Sequence, residues 1–250
     1  LLTNYGEVAG IWFDGHWDQL DNDHNKELGS KVDWHYNEIY ELIHRLQPAC
    51  MIGNNHHLQP LPGEDFQMFE RDLPGENKAG LSGQSVSTLP LETCETINGA
   101  WGFDITDRSY KSNKELIHLL VKAAGHGANL LLNIGPMPNG EIQPEFVERL
   151  TNIGQWLEKN GTTIYATKGG FIRPQEWGCV TQKDHKVYIH LFKKPVVPFE
   201  LEVPGKVKSI KKFGTDAQKV PFKQKNQKTT FDLEGVVFDD IDTILEITIK

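Results

Sequence analysis

The order of strand-like and helix-like segments most constrains how this 250-residue chain folds. Up to about residue 168, apolar strand-like segments alternate with amphipathic helix-like segments, and after Lys168-Gly169-Gly170 only short β-type runs follow. Strands that alternate with helices are typical of parallel β/α units, whereas short strands separated by turn residues are typical of antiparallel sandwiches. The pattern predicts an α/β domain over residues 1–168 and an antiparallel β-sandwich over residues 169–250.

The segments of the first part have recognisable ends. The predicted strands are Val8–Phe13, Ala49–Gly53, Leu91–Ile97 and Asn129–Gly135, and the predicted helices are Val32–Leu46, Leu116–Ala124 and Glu145–Lys159. Ser30 and the capping box Ser112–Glu115 are start signals for the first two helices. The polar stretch between Gly53 and Pro90 is rich in Pro and Gly and is predicted to be a loop, and loops of that length are usually functional.

Four strands with their helices make half of an eightfold barrel. The first and fourth strands are apolar throughout, which predicts burial on both faces. We therefore expect the second half of a (β/α)8-type barrel followed by an antiparallel β-sandwich, in a chain cut from a longer polypeptide. The predicted sandwich strands are Lys186–Phe192, Phe199–Val203, Val207–Phe213, Thr229–Leu233 and Thr243–Ile249.

Composition narrows the functional classes. The chain is 38% hydrophobic and 24% charged, as globular proteins are, and its net charge of −8 argues against a nucleic-acid surface. No apolar run approaches the length of a membrane span. The cysteines Cys50, Cys94 and Cys179 are too few and too scattered for a disulfide framework, so we predict buried thiols. A neutral substrate is compatible with this charge.

Asp14 is the first candidate for a catalytic group. It directly follows the strand Val8–Phe13, and residues just past such strands line the mouth of an α/β barrel, where substrates bind. The alternative is an Asp that only opens a turn before Gly15. Partner carboxylates for a glycosidase pair are available in the long loop: Glu64, Asp65, Glu70 and Glu76. The aromatic residues that either stack on a sugar or pack in the core are Trp12, Phe13, Trp17 and Trp101.

Patterns for metal and nucleotide chemistry are incomplete. Asp21-x-Asp23-x-Asn25 resembles the start of a calcium loop, but Lys26 and Val32 stand where that loop needs Gly and Glu. His56-His57 has no further ligands at the spacing of a metal site. The sequence also lacks a nucleophile elbow and a phosphate-binding glycine loop. We therefore expect neither a metal nor another cofactor.

Four sequence blocks together resemble the α-L-fucosidases of glycoside hydrolase family 29. They are Trp12-Phe13-Asp14-Gly15, Glu64-Asp65-Phe66-Gln67-Met68-Phe69-Glu70, Glu92-Thr93-Cys94-Glu95-Thr96 with Trp101-Gly102, and Asn129-Leu130-Leu131-Leu132-Asn133-Ile134-Gly135-Pro136. The resemblance covers about the first two thirds of the chain. It implies a (β/α)8-type catalytic domain followed by a β-sandwich, and hydrolysis of terminal α-L-fucosides in two displacement steps with retention.

The resemblance also assigns roles to residues. Asp14 matches the family nucleophile, and Glu70 matches the usual acid/base, whose pKa we expect the nearby negative charge to raise. Trp12 matches a sugar-contacting tryptophan, and Trp101 falls where the family often has an aromatic residue against the fucose methyl group. Asn55 lies where many members carry an arginine that contacts the sugar. Because Asn55 replaces that arginine, we expect either Asn55 or His56 to make the sugar contact.

The implied partner is a fucosylated oligosaccharide or glycoconjugate, with no nucleic acid and no membrane span, and the oligomeric state is not indicated. The resemblance implies a periplasmic, extracellular or lysosomal location. Two other functions remain open at this point. One is a carbohydrate-binding protein on a catalytically inactive barrel, and the other is a retaining glycosidase for a different sugar.

Overall fold

A computed structural model of the chain describes residues 1–16, 32–215 and 218–250. Trp17, the helix start signal Ser30 and the calcium-like residues Asp21, Asp23 and Asn25 therefore lie outside the described residues. The chain divides into two compact units, Leu1–Glu95 and Thr96–Lys250. This division does not test the domain boundary expected at residues 168 and 169, which stays a prediction.

Helices and strands alternate in the first part of the chain, and strands alone follow. The first unit contains β1 (Gly10–Phe13), α1 (Tyr36–Leu46), β2 (Met51–Asn54), β3 (Gln67–Glu70) and nearly all of β4 (Leu91–Thr96). The second contains α2 (Asn113–Gly125), β5 (Ala128–Asn133), α3 (Pro144–Asn160), β6 (Lys168–Gly169), β7 (Gly178–Lys183), β8 (Lys186–Leu191), β9 (Phe199–Glu202), β10 (Val207–Lys212), β11 (Phe222–Lys225), β12 (Lys228–Phe231) and β13 (Thr243–Ile249).

A parallel β/α/β arrangement builds the first unit. Strands β1 and β2 pair in parallel from Gly10 opposite Met51 to Phe13 opposite Asn54. Helix α1 packs its apolar face on these strands, with Tyr40 and Ile43 in one cluster with Ile52. Because the two strands run in the same direction, the residues that follow them lie side by side at one edge of the sheet.

Two expectations for this unit are wrong in detail. Helix α1 begins at Tyr36 and not at Val32, because His35 has a left-handed φ of 53° and donates its N–H to the Asp33 side chain, which ends the extended segment locally. Strand β1 is not buried on both faces. Phe13 packs partly against the α1 cluster, whereas Trp12, which points the other way, is 38% exposed, since α1 covers one face only.

Strand β3 lies inside the stretch that we expected to be a loop. It pairs in parallel with β4, from Gln67 opposite Leu91 to Glu70 opposite Cys94. Its four residues carry no alternating pattern, because the polar Gln67 is buried with its amide bonded to Ser85 O and Ser87 N. A buried polar residue with local hydrogen-bond partners breaks the alternation of polar and apolar residues, so pattern analysis does not detect this strand. The consequence is that Glu70 ends a strand, as a barrel-mouth residue does.

Sequence signals at the helix ends are confirmed in the second unit. Ser112 caps α2 by accepting from Glu115 N, and the Glu115 carboxylate returns a bond to the Ser112 backbone N–H. Gly127, with φ of 73°, follows the helix in the left-handed conformation that glycine adopts most readily. Helix α3 starts with Pro144 in the first turn, where its missing N–H costs nothing.

Two antiparallel sheets form a sandwich in the second unit. Their strand orders are β10-β13-β8-β7-β6 and β11-β12-β9. Side chains of both sheets, among them Ile189, Leu245 and Phe231, meet in one core. The other face of the larger sheet packs on α2 and α3, where Tyr188 joins Leu116. The five predicted strands are confirmed, while β6, β7 and β11 were not predicted.

The buried-thiol prediction is also confirmed. Cys50, Cys94 and Cys179 are all free and buried.

Candidate active site

Asp14 and Asn55 are neighbours because each directly follows one of two paired parallel strands. The Asn55 backbone N–H donates to Phe13 O at 2.9 Å, which continues the β1–β2 ladder by one residue. The Asn55 side-chain nitrogen Nδ2 lies 3.1 Å from Asp14 Oδ1. Asn55 is 2% exposed, whereas Asp14 is exposed. The edge of the sheet thus presents an accessible carboxylate that is held by a buried amide.

The same amide reaches a second carboxylate. Asn55 Nδ2 lies 2.8 Å from Glu70 Oε2, at the end of β3. The two contacts to one nitrogen limit the separation of Asp14 Oδ1 and Glu70 Oε2 to about 6 Å, and retaining glycosidases hold their carboxyl groups about 5–5.5 Å apart. Inverting enzymes need a wider gap for a water molecule. This upper limit is compatible with the spacing of a retaining pair and is below the range of an inverting pair.

His57 is a second donor to Glu70. Its ring nitrogen Nε2 lies 3.0 Å from Glu70 Oε2, and the side chains of His57 and Glu70 are 9% and 15% exposed. The hydrogen bond from His57 lowers the pKa of Glu70 most, and the Asn55 bond adds to it against the opposing effect of burial. The expected rise in the pKa of Glu70 is therefore wrong, because the donors to the carboxylate outweigh the effect of burial.

A third carboxylate, Glu92 on β4, lies at the same site. Trp12 Nε1 donates to Glu92 Oε1 at 3.2 Å, and burial raises the pKa of Glu92. The buried Cys94 thiol lies among these groups, since burial first and then the charges of Glu70, Glu92 and Asp14 raise its pKa to about 12. The site thus combines one carboxylate with a lowered pKa and one with a raised pKa.

His56 supports the loop that carries these groups. Its Nδ1 accepts from Leu58 N at 2.9 Å, so its Nε2 carries the hydrogen and donates to Glu64 Oε1 at 2.8 Å. Tyr40 OH donates to the same Glu64 oxygen at 3.0 Å and accepts from Asn54 Nδ2 at 2.8 Å. Burial raises the pKa of Tyr40. Because His56 is 2% exposed and uses both ring nitrogens internally, its sugar contact stays a prediction.

The structure separates the four candidate partners for Asp14. Glu64 binds His56 and Tyr40, Asp65 binds His44 at 3.0 Å, and Glu76 pairs with Lys78 at 2.7 Å. Glu70 shares the Asn55 amide with Asp14. Trp101 lies in the second unit, 36% exposed, with its carbonyl oxygen accepting from Asn133 Nδ2. Its role against a sugar stays a prediction.

Sequence reasoning missed His57 and gave Glu92 no role. The sequence marked the His56-His57 pair as an incomplete metal site and His56 as a candidate sugar contact, and only the turn at His57 directs the two rings to different carboxylates. Glu92 stood within a family block, but nothing in its neighbours along the chain indicated a bond to Trp12, which lies 80 residues away. Only the pairing of strands brings these groups together.

Neither a metal-binding cluster nor a membrane-spanning helix occurs in the described part of the chain. This part contains no group of three or more His, Cys, Asp or Glu side chains that could hold a metal ion. Across residues 1–16, 32–215 and 218–250, no helix has the length and apolar character needed to cross a membrane.

Comparisons with known sequences identify the family of the chain. The family model for Alpha-L-fucosidase matches residues 1–162. The α-L-fucosidase of Branchiostoma floridae is 45% identical over 80 residues, which are 31% of this chain and 18% of that protein. The tissue α-L-fucosidase of Mus musculus is 31% identical over 204 residues, covering 78% of this chain and 39% of its own length. The chain thus spans well under half of these curated relatives.

Solved structures have the same fold. The α-L-fucosidase isoenzyme 1 of Paenibacillus thiaminolyticus superposes with a TM-score of 0.77 at 28% identity, covering 100% of this chain and 59% of that one. A family 29 α-L-fucosidase of Bacteroides thetaiotaomicron, crystallised as a trapped covalent intermediate, gives 0.73 at 21% identity, with 96% and 56% coverage. The second likeness shows the fold alone. Together they confirm the predicted class, a partial barrel followed by a β-sandwich.

Proposed function

Because this chain belongs to the α-L-fucosidase family, we propose that the protein hydrolyses terminal α-L-fucosides of oligosaccharides or glycoconjugates with retention of configuration. The observation that carries the proposal is the single Asn55 amide nitrogen that contacts both Asp14 and Glu70, which keeps their nearest oxygens within about 6 Å, a limit compatible with a retaining pair. The covalent intermediate trapped in the Bacteroides thetaiotaomicron enzyme supports a two-step mechanism.

The two carboxylates divide the chemistry. Asp14, which is exposed at the end of β1, attacks the anomeric carbon and forms a fucosyl ester. Glu70 gives a proton to the departing glycosidic oxygen and then takes a proton from the water that hydrolyses the ester. Asn55 keeps both groups in place through both steps. No part of this chemistry calls for a metal ion.

Two groups are suited to bind the sugar. Trp12 is 38% exposed, its indole N–H is fixed by Glu92, and its flat apolar face can stack on the C–H face of a fucose ring. Asn55 Oδ1 is buried and has no hydrogen-bond partner among the described residues. A buried acceptor without a donor is costly, and a fucose hydroxyl would satisfy it. We assign the sugar contacts to these residues, with His56 and Trp101 as further candidates.

The domain organisation belongs to the same proposal. Residues 1–168 are assigned to the catalytic barrel and residues 169–250 to the β-sandwich, because the core between the two sheets begins with Val180 and draws on strands β7 to β13. The helices α2 and α3 then belong to the barrel although they pack on the larger sheet of the sandwich.

Removal of the nucleophile tests the function. Asp14→Gly in the full-length protein is expected to abolish hydrolysis of an aryl α-L-fucoside, and added azide is expected to restore turnover and give the fucosyl azide of inverted configuration. Glu76→Gln, a surface carboxylate paired with Lys78, serves as the control and retains activity. Full activity of the Asp14→Gly protein would contradict the proposal. Affinity for fucose without turnover in the unaltered protein would favour the binding-only alternative.

A further inference from the structure

Glu70 has surroundings that favour its ionised form, although its proposed role begins with the donation of a proton. Oxygen Oε2 accepts from Asn55 at 2.8 Å and contacts His57 Nε2 at 3.0 Å. The pKa of Glu70 is lowered by these bonds and by Arg71 next to it in the chain. An isolated carboxylic acid with a lowered pKa holds its proton in only a small fraction of molecules near neutral pH.

The backbone directs His57 to this position. His57 has a left-handed φ of 60°, which is uncommon for a residue with a side chain. The turn sends adjacent histidines to different partners, so that His56 contacts Glu64 and His57 contacts Glu70. Both members of the second pair are largely buried, so solvent screens their interaction little. Strained backbone of this kind is often found where a side chain has a function.

Further carboxylates surround the His57–Glu70 pair. Asp14 reaches Glu70 through Asn55, and Glu92 and Cys94 lie on β4 beside it. Three carboxylates thus meet, whereas the cation that acts on Glu70 besides a protonated His57 is Arg71.

We propose that His57 is a positioning residue that stores the catalytic proton of Glu70, so that the pair carries one proton between Nε2 and Oε2. The inference rests on the proposed function. In it the His57 imidazole acts through Glu70 and does not contact the sugar. An imidazole that exchanges a proton with a carboxylate titrates with it as one unit. Glu70 then acts as an acid although its own pKa is low.

The proton balances over the two steps. In the first, the shared proton passes from His57 Nε2 through Glu70 to the departing oxygen, the glycosidic C–O bond breaks and the anomeric carbon bonds to Asp14, which leaves Glu70 ionised and His57 neutral. In the second, water bonds to the anomeric carbon, the ester bond to Asp14 breaks, and the proton lost by water returns through Glu70 to His57 Nε2. One proton leaves with the alcohol and one is regained in each cycle.

The test uses two variants of the full-length protein. His57→Gln keeps a neutral donor near Glu70 but cannot store a proton. His57→Gly fits the left-handed backbone and leaves space for added imidazole. His44→Gln is the matched control, because His44 pairs with Asp65 at the same 3.0 Å distance away from the site. The pH profile of kcat/KM is measured with an alkyl and a nitrophenyl α-L-fucoside.

The proposal predicts a change specific to proton transfer. In His57→Gln the alkaline limb of the profile moves to lower pH, because Glu70 alone now loses the proton. Turnover of the alkyl fucoside falls at least about 10-fold, while that of the nitrophenyl fucoside, whose leaving group needs little help, changes much less. Imidazole moves the limb back in His57→Gly, and His44→Gln resembles the unaltered protein.

Three results would overturn the inference. The first is an unchanged alkaline limb of the pH profile in His57→Gln. The second is an equal loss of activity on both substrates, without rescue by imidazole in His57→Gly. The third is a selective loss on the alkyl fucoside in Glu92→Gln but not in Glu70→Gln. In each of these cases azide rescue of Asp14→Gly still supports the glycosidase function. Failure of that rescue contradicts the function itself, so the two proposals fail separately.

Discussion

At the scale of single residues, the Asn55 amide nitrogen contacts both candidate catalytic carboxylates, Asp14 and Glu70. The sequence predicted Asp14 and Glu70 from their blocks, and the structure adds the bond that joins them. The sequence could not indicate the contacts of His57 and Glu92, because hydrogen bonds between different strands and loops leave no pattern along the chain. The pKa of Glu70 was misjudged for the same reason, since the donors that lower it were unknown.

Glu70 and Glu92 are the two candidates for the acid, and their leaving-group dependence separates them. Glu70→Gln is expected to slow hydrolysis of alkyl fucosides about 100-fold or more, with a much smaller effect on nitrophenyl fucosides, because general-acid help matters most for basic leaving groups. Glu92→Gln is expected to reduce both rates alike, through the weakened hold on Trp12. The measurement is kcat/KM over a series of leaving groups. The opposite pattern would make Glu92, whose pKa burial raises, the acid.

At the scale of elements, periodicity and caps predicted what depends on local forces, and missed what depends on tertiary pairing. Helix α2 began and ended as its capping box and Gly127 indicated. Strand β3 was missed because Gln67 is polar and buried, and a polar residue lowers any strand signal unless its partners are known. Strand β1 was overestimated, because an apolar run indicates burial only where neighbours cover both faces.

Gly53 in β2 is required by close packing, and this gives a prediction about the element that carries Asn55. A Cβ atom at Gly53 would lie 2.1 Å from the Phe66 ring. Gly53→Ala is therefore expected to displace β2 or Phe66, lower the melting temperature and reduce activity. Gly154→Ala on α3, where a Cβ meets nothing within 4 Å, is expected to stabilise by about 0.5–1 kcal/mol. Thermal melts of both variants and the activity of Gly53→Ala test this prediction. A Gly53→Ala protein with unchanged melting temperature and activity would contradict it.

A buried histidine–carboxylate contact lies within the larger sheet of the sandwich. His190 Nδ1 lies 2.6 Å from Asp242 Oδ2, and both side chains are fully buried. Replacement of His190 by Phe leaves an uncompensated carboxylate and is expected to cost about 3–5 kcal/mol in the free energy of unfolding. Lys193→Met removes a surface pair with Glu176 and is expected to change stability little. Denaturant unfolding measures both, and equal small losses would show that the buried pair is dispensable.

At the scale of the whole molecule, the order of segments predicted the fold class. Alternating strands and helices followed by strands alone correspond to a partial barrel and a β-sandwich, and structures with TM-scores of 0.77 and 0.73 agree. Pattern analysis does not extend to the division of the chain into compact units. The division lies between Glu95 and Thr96, because α2 and α3 pack on the larger sheet of the sandwich. Contacts between elements determine that division, and periodicity along the chain does not contain them.

The most direct test of the central claim is to trap and locate the covalent intermediate. The full-length protein is treated with 2-fluoro-fucosyl fluoride, digested and analysed by mass spectrometry. A retaining fucosidase with Asp14 as nucleophile predicts one 2-fluoro-fucosyl group per chain, carried by Asp14 and absent from Asp14→Gly. An adduct on another residue, or loss of fluoride without any adduct under conditions where the unaltered protein hydrolyses fucosides, would contradict the account.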